Sequence, residues 1–76
     1  MTNNSKKISE RGRRFFAMQK FIKRAKDSEI EKATQISRQY LCQVLNGKVK
    51  MPEIIARRLG DFFEVDWQEF MKEDEE

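Results

Sequence analysis

The chain has 76 residues and a formal net charge of +3, which suits one domain with one small core. A core of that size is marginally stable unless a cross-link, a metal or dimerisation stabilises it, so a homodimer is expected. One cysteine and no histidine argue against a disulfide framework, a zinc site with Cys and His ligands, and catalysis by an imidazole. We expect no enzyme activity, no metal, no cofactor and no small-molecule ligand.

Charge is divided unequally along the chain. Residues 1–58 hold 15 of the 16 Lys and Arg residues and 5 acids, a balance of +10. Residues 59–76 hold one Lys and 8 acids, a balance of −7. A basic segment favours a polyanionic partner, which the acidic end would repel. The two ends are therefore expected to face different partners.

The termini differ in composition from the middle of the chain. Residues 1–8 are polar and lack periodicity, which predicts a flexible basic arm containing Lys6 and Lys7. Residues 73–76 are an acidic tail, and residues 9–72 are expected to fold. No stretch approaches the roughly 18 apolar residues of a membrane span. No apolar run follows the first residues as it would in a signal peptide, so a cytoplasmic protein is expected.

Two amphipathic helices are predicted first. Between Ser9 and Lys26, apolar residues recur every three or four positions among Lys and Arg, as a helix with one buried stripe requires. That stripe comprises Phe15, Met18, Phe21, Ile22 and Ala25. The second helix is predicted to begin at a capping box, Ser28-Glu29-Ile30-Glu31, and to end near Thr34.

The remaining helices have cap residues at their predicted ends. Ser37 caps a third helix that ends at Asn46-Gly47, since both residues tolerate the left-handed conformation. The inward residues of this helix are Leu41, Val44 and Leu45.

A fourth helix is predicted after Pro52, which suits the first turn of a helix. Its apolar stripe is Ile55, Ala56, Leu59 and either Phe62 or Phe63. Gly60 is predicted to let another helix approach closely. A second box-like start, Asp66-Trp67-Gln68-Glu69, opens a fifth helix, which predicts an all-α fold of five short helices.

The outward face of the third helix is rich in amides and nearly uncharged. Gln39 and Gln43 lie four residues apart on one side, with Arg38 beside them. Arginine bonds guanine O6 and N7 bidentately and glutamine does the same to adenine N6 and N7, whereas an ordinary solvated face carries Glu and Lys. Two short helices joined by a tight turn also match the helix-turn-helix geometry, which predicts base reading by this face.

Residues 36–48, ISRQYLCQVLNGK, resemble the turn, recognition helix and terminal Asn-Gly-Lys of the Cro and phage-repressor family, also called XRE-type helix-turn-helix proteins. Residues 54–59 and 63–66 are similar to that family's fourth helix and its exit, and the resemblance runs from about Phe15 to Met71. It implies a lambda-repressor-like DNA-binding domain with a central helix-turn-helix. A homodimeric repressor would then bind a palindromic double-stranded DNA operator in a bacterial or phage-infected cell.

By this resemblance, Arg38, Gln39 and Gln43 fall on positions that read bases. The residues expected at the DNA backbone or groove edge are Ser37, Tyr40, Asn46, Lys48 and Lys50. Four positions depart from the family pattern. Asp27 stands where a phosphate-contacting glutamine is frequent and Glu31 where a buried alanine is usual, while Gln35 and Glu64 replace glycines. A carboxylate repels phosphate, so no phosphate contact is assigned to Asp27, which is interpreted as a possible cap of the second helix.

Two further features concern partners and chemistry. The C-terminal aromatics exceed what five short helices bury, so Trp67, Phe70 and Met71 are predicted to form a twofold dimer contact. Cys42 is interpreted as a small residue that permits close approach to DNA, with a redox switch as the alternative.

Two other functions remain open. The basic amphipathic stretch of residues 13–24 would suit membrane or partner binding by the first helix. Within the same fold, an antitoxin would repress its own operon and bind a protein partner through its C-terminal helix.

Overall fold

The computed structural model describes residues 7–73, which form four α-helices and one short 3₁₀ helix. The α-helices are α1 (Glu10–Lys23), α2 (Asp27–Thr34), α3 (Arg38–Leu45) and α4 (Glu53–Phe63). The 3₁₀ helix spans Trp67–Met71. The all-α prediction is confirmed, but the predicted fifth α-helix is wrong. Five residues capped by the Asp66 side chain make only one tight turn, in which the Glu69 amide donates to the Asp66 carbonyl at 3.0 Å.

The predicted buried stripe of α1 is wrong at three of its five positions. Met18, Phe21 and Ile22 are exposed by 57%, 82% and 64%. The buried residues are Gly12 and Phe16, and Ala25 is buried just beyond the helix. Phe16 contacts the rings of Phe63 and Phe70, at centroid separations of 5.6 and 6.3 Å. Both faces of α1 carry apolar residues at helical spacing, so tertiary packing decided which face is inside.

The start of α2 also differs from its prediction. Helix α1 ends three residues earlier than expected, because Arg24 adopts the left-handed conformation with φ of 55°. Helix α2 then begins at Asp27, and the Glu29 carboxylate accepts a hydrogen bond from the Lys26 amide at 2.8 Å. The reciprocal contact of a capping box is therefore made from Glu29, not from Glu31.

The predicted limits of α3 and the buried stripe of α4 are confirmed. The Ser37 hydroxyl accepts from the Tyr40 amide at 3.1 Å, and Gly47 follows α3 with φ of 75°. Pro52 is the cap before α4, one position outside its first turn. The buried residues of α4 are Ile55, Ala56, Leu59, Gly60 and Phe63, whereas Phe62 is half-buried.

Gly60 has the role predicted from the sequence. A Cβ atom there would lie 2.9 Å from both the Trp67 Cβ and the Val65 carbonyl oxygen. Gly12 has the same role on α1, where a Cβ would overlap the backbone carbonyl oxygen of Phe70. The two glycines let the 3₁₀ helix lie between α1 and α4. This packing closes the core around Phe70, which is fully buried.

Glu64 follows α4 in the left-handed conformation, with φ of 60°. That conformation costs about 1–2 kcal/mol for a residue with a Cβ atom, and glycine would avoid this cost. Glycine also gives the unfolded chain more freedom, which lowers the gain in stability by about 0.4–1 kcal/mol. Glu64→Gly is therefore expected to raise the free energy of unfolding by about 0.5–1 kcal/mol, measured from the urea midpoint at unchanged slope.

The matched control is Ala17→Gly, at an exposed interior position of α1 with ordinary helical backbone. It is expected to lower the free energy of unfolding by about 1 kcal/mol. A loss of stability in Glu64→Gly would contradict a left-handed backbone at residue 64.

Candidate nucleic-acid interface

The connection between α2 and α3 is anchored by buried side chains. Thr34 is buried, and its hydroxyl donates to the Ile30 carbonyl at 2.5 Å and accepts from the Ile36 amide at 3.3 Å. Ile36 is buried in the core, whereas Gln35 adopts φ of 62° at the position where the family pattern has glycine. The guanidinium of Arg58 on α4 donates to the Thr34 carbonyl at 3.5 Å. These anchors restrict how α3 can move relative to α2.

Helix α3 packs on the core through one face and exposes the other. Leu41 and Val44 are buried and Leu45 is half-buried, as predicted. Of the predicted base-reading residues, Arg38 and Gln39 are exposed and Gln43 is half-buried. Because residues four apart share a helix face, Gln39 and Gln43 form one continuous amide surface.

A groove of about 420 Å³ runs between α3 and the first two helices. Arg38, Gln39, Cys42 and Asn46 line it from α3, and the side chains opposite include Lys20, Asp27 and Glu31. Gln43 is not among the lining residues. The groove therefore brings Arg38 and Gln39 together with α2, while Gln43 lies one turn farther along α3.

Asp27 joins α1, α2 and α3 through its carboxylate. Its Oδ1 accepts from Lys20 Nζ at 2.5 Å, and its Oδ2 lies 3.8 Å from the Arg38 guanidinium. The hydrogen bond from Lys20, reinforced by the charges of Lys20 and Arg38, lowers the pKa of Asp27 below its ordinary value of 3.8, against a smaller desolvation effect. Asp27 is the first residue of α2, so its interpretation as the cap is wrong.

Because the pKa of Asp27 is lowered in the folded protein, its charged carboxylate stabilises the fold. This stabilisation is present above the ordinary pKa and is lost as the pH falls through the lowered pKa. At neutral pH the carboxylate is charged and remains beside Arg38. Sequence reasoning missed this pair, although residues 27 and 38 carry opposite charges on the two helices of the predicted motif.

The end of α3 holds the predicted backbone-contacting residues in defined positions. The Lys48 amide donates to the Gln43 carbonyl at 2.9 Å and the Gly47 amide to the Val44 carbonyl at 3.1 Å, which is a Schellman motif. Lys48 and Lys50 are exposed just beyond it. The side-chain amide of Asn46 donates to the Cys42 thiol at 3.3 Å on the same exposed side of α3.

The other predicted contact residues lie apart from that end. Ser37 is exposed, but its hydroxyl already accepts the capping bond, and Tyr40 is half-buried against the core. In the predicted arm, Lys6 lies outside the described residues and Lys7 is exposed. Ile8 packs against the core, so the last residue of the predicted arm belongs to the folded part.

The predicted dimer residues differ in their accessibility. Phe70 is fully buried inside the monomer, so its side chain is not accessible for a dimer contact. Trp67 is half-buried against Gly60, with the Arg57 guanidinium 4.8 Å from its ring centroid, and Met71 is also half-buried. A dimer contact in this region therefore has only Trp67 and Met71 to use among the three.

Comparison with protein-family models, curated proteins and solved structures finds no match. The resemblance to the Cro and phage-repressor family therefore stays a prediction from the sequence, carried by residues 36–48, 54–59 and 63–66. None of the described helices has the length and apolar character needed to cross a bilayer.

Proposed function

We propose that this protein binds double-stranded DNA in a sequence-specific manner through α3, as a Cro-like homodimeric repressor. The observation that carries the proposal is the amide surface of the exposed Gln39 and the half-buried Gln43, with Arg38 at its edge, on a helix anchored from the opposite side. Arg and Gln have the bidentate geometry that distinguishes bases in the major groove. In this proposal α2 and α3 are the two helices of a helix-turn-helix.

Basic side chains around α3 supply affinity without sequence preference. Lys48 and Lys50 follow the Schellman motif, and Arg13 on α1 donates to the Leu45 carbonyl at 3.4 Å at the same end of α3. Cations beside a recognition helix release counterions when they meet phosphates, so binding weakens as salt rises. The repressor acts by occupying an operator, and twofold symmetry of the dimer makes that operator palindromic.

The test is selection of bound fragments from random duplex DNA. We expect enrichment of a symmetric sequence with half-site centres about 10 bp or a multiple apart. On that sequence, Gln43→Ala should weaken binding by about 1–3 kcal/mol at particular base pairs. Lys48→Ala is the matched control, because loss of a phosphate contact weakens selected and random DNA alike.

Three results would each contradict part of the proposal. Failure to enrich any sequence would contradict sequence-specific binding. If Gln43→Ala weakens binding to selected and random DNA equally, base reading by Gln43 on α3 is contradicted. An enriched but asymmetric sequence would leave base reading and overturn the twofold dimer.

A further inference from the structure

Helix α1 exposes a compact apolar cluster, Met18, Phe21 and Ile22, which we call the α1 outer face. The three side chains are spaced i, i+3 and i+4, so they are neighbours on the helix surface. Ile54 on α4 is the other large apolar residue exposed in the described part of the chain, and it stands outside this spacing. Single exposed apolar residues are ordinary, whereas a contiguous cluster marks an interaction site.

The fold does not require this cluster. Helix α1 packs on the core through Gly12 and Phe16, and Phe15 contacts Phe70 edge-on at 5.1 Å between ring centroids. Met18, Phe21 and Ile22 are exposed and do not belong to the core cluster. It is therefore an apolar surface beyond the one that holds α1 in place.

A groove adjoins the α1 outer face at Phe21, the member of the cluster that lines it. The groove lies between α1 and the end of α3, and its apolar lining is Phe16, Ala17, Phe21, Ala25 and Leu45. Its remaining polar lining is entirely cationic: Arg13, Lys20 and Arg24. A ridge of side chains with an adjoining groove suits a helical segment, which inserts its own apolar residues between them. A lipid surface offers no ridge to fill such a groove.

Charge decides which helical segment fits. Helix α1 carries five Lys and Arg residues and one acid, Glu10. Two copies of this face would bring like charges together, which disfavours self-association through it. Phosphate backbones would match the charge, but they leave the apolar side chains without a partner.

We propose that the α1 outer face and its groove bind an acidic amphipathic helix of another protein. The apolar side of that helix covers Met18, Phe21 and Ile22, and its flanking carboxylates meet the Arg and Lys side chains around the groove. The groove also contains Leu45 of α3 and Arg13, which the proposed DNA interface uses. The apolar cluster Met18, Phe21 and Ile22 lies on α1 alone, whereas base reading is assigned to α3. Substitutions confined to this apolar cluster therefore test the inference separately from base reading by α3.

The test is selection of helical peptides of about four turns from a displayed library with randomised positions, using the full chain as bait. We expect the enriched peptides to carry apolar residues at i, i+3 and i+4 and a net negative charge. Their affinity should fall with rising salt. Phe21→Ser with Ile22→Ser should weaken binding by about tenfold or more, since apolar anchors dominate such contacts.

The control is Ile54→Ser, at an exposed apolar position outside the cluster, which should leave peptide binding unchanged. Both variants alter exposed side chains, and thermal unfolding followed by circular dichroism confirms that each is folded. Binding of the variants to random duplex DNA separates this surface from the proposed DNA-binding function, because loss of the α1 cluster should leave it unchanged.

Three results would overturn the inference. The first is no enrichment, or enriched peptides that bind the Phe21→Ser, Ile22→Ser variant as well as the original chain. The second is enrichment of neutral or basic peptides. The third is that the original chain binds vesicles of anionic lipid, or associates with itself, and the same variant does not. The first case would assign the cluster to a membrane and the second to contact with a second copy.

Discussion

Replacing Gly12 with alanine is expected to destabilise the fold by about 3 kcal/mol. The added Cβ would overlap the Phe70 carbonyl oxygen and lie 2.9 Å from the Ile8 Cγ1 atom. A flexible side chain can rotate away from a new methyl group, but a backbone carbonyl cannot. The better helix propensity of alanine stabilises the helix by only about 1 kcal/mol. The clash is larger, so the free energy of unfolding falls.

Denaturation with urea measures this effect directly, and the melting temperature should fall by more than about 8 °C for a domain of this size. The matched control is Arg14→Ala, at an exposed position of the same helix whose only described ion pair is with Glu10. It should change the free energy of unfolding by no more than about 0.5 kcal/mol. A Gly12→Ala protein as stable as this control would contradict close packing of α1 against the 3₁₀ helix.

The second large effect concerns Arg38. Arg38→Ala is expected to weaken binding to the selected DNA sequence by about 1–3 kcal/mol, because a bidentate base contact is lost. On random DNA the loss should be smaller, since only one cation is removed from the interface. Titration of labelled duplexes at fixed salt measures both values. Equal losses on the two DNAs would contradict base reading by Arg38.

Asp27→Asn is the companion variant, and its effect has the opposite sign. The carboxylate lies 3.8 Å from the Arg38 guanidinium, and under the proposed function it would compete with DNA for that cation. Its removal should strengthen binding to selected and random DNA several-fold at low salt. Because the pKa of Asp27 is lowered, this group should cause no change in affinity between about pH 6 and pH 8. Weaker binding by Asp27→Asn would mean that the carboxylate positions Arg38 productively.

Local signals were the part of the fold that sequence reasoning predicted best. The limits of α3 depend on Ser37 at one end and Gly47 at the other, and each contact spans only a few residues. The same holds for the apolar stripe of α4 and for the close approach at Gly60, whose neighbour Trp67 is near in the chain. The amide surface of α3 followed from these limits, since a helix with known ends has predictable faces.

Contacts between distant segments were beyond such reasoning. Phe15 and Phe16 are adjacent apolar residues on α1, and both contact Phe70 from the other end of the chain. Phe16 also contacts Phe63 of α4 and is the buried one. That same packing exposed the α1 outer face and removed Phe70 from the predicted dimer contact.

The sequence by itself determined an all-helical chain, the position of α3 and the chemistry of its exposed side. Only the tertiary structure decided which face of α1 is buried and that Asp27 pairs with Lys20 and Arg38. The physical reason is the range of the interactions. Caps and helical periodicity act within a turn or two, whereas the 3₁₀ helix reaches Gly12 across most of the chain and selects one of two apolar faces.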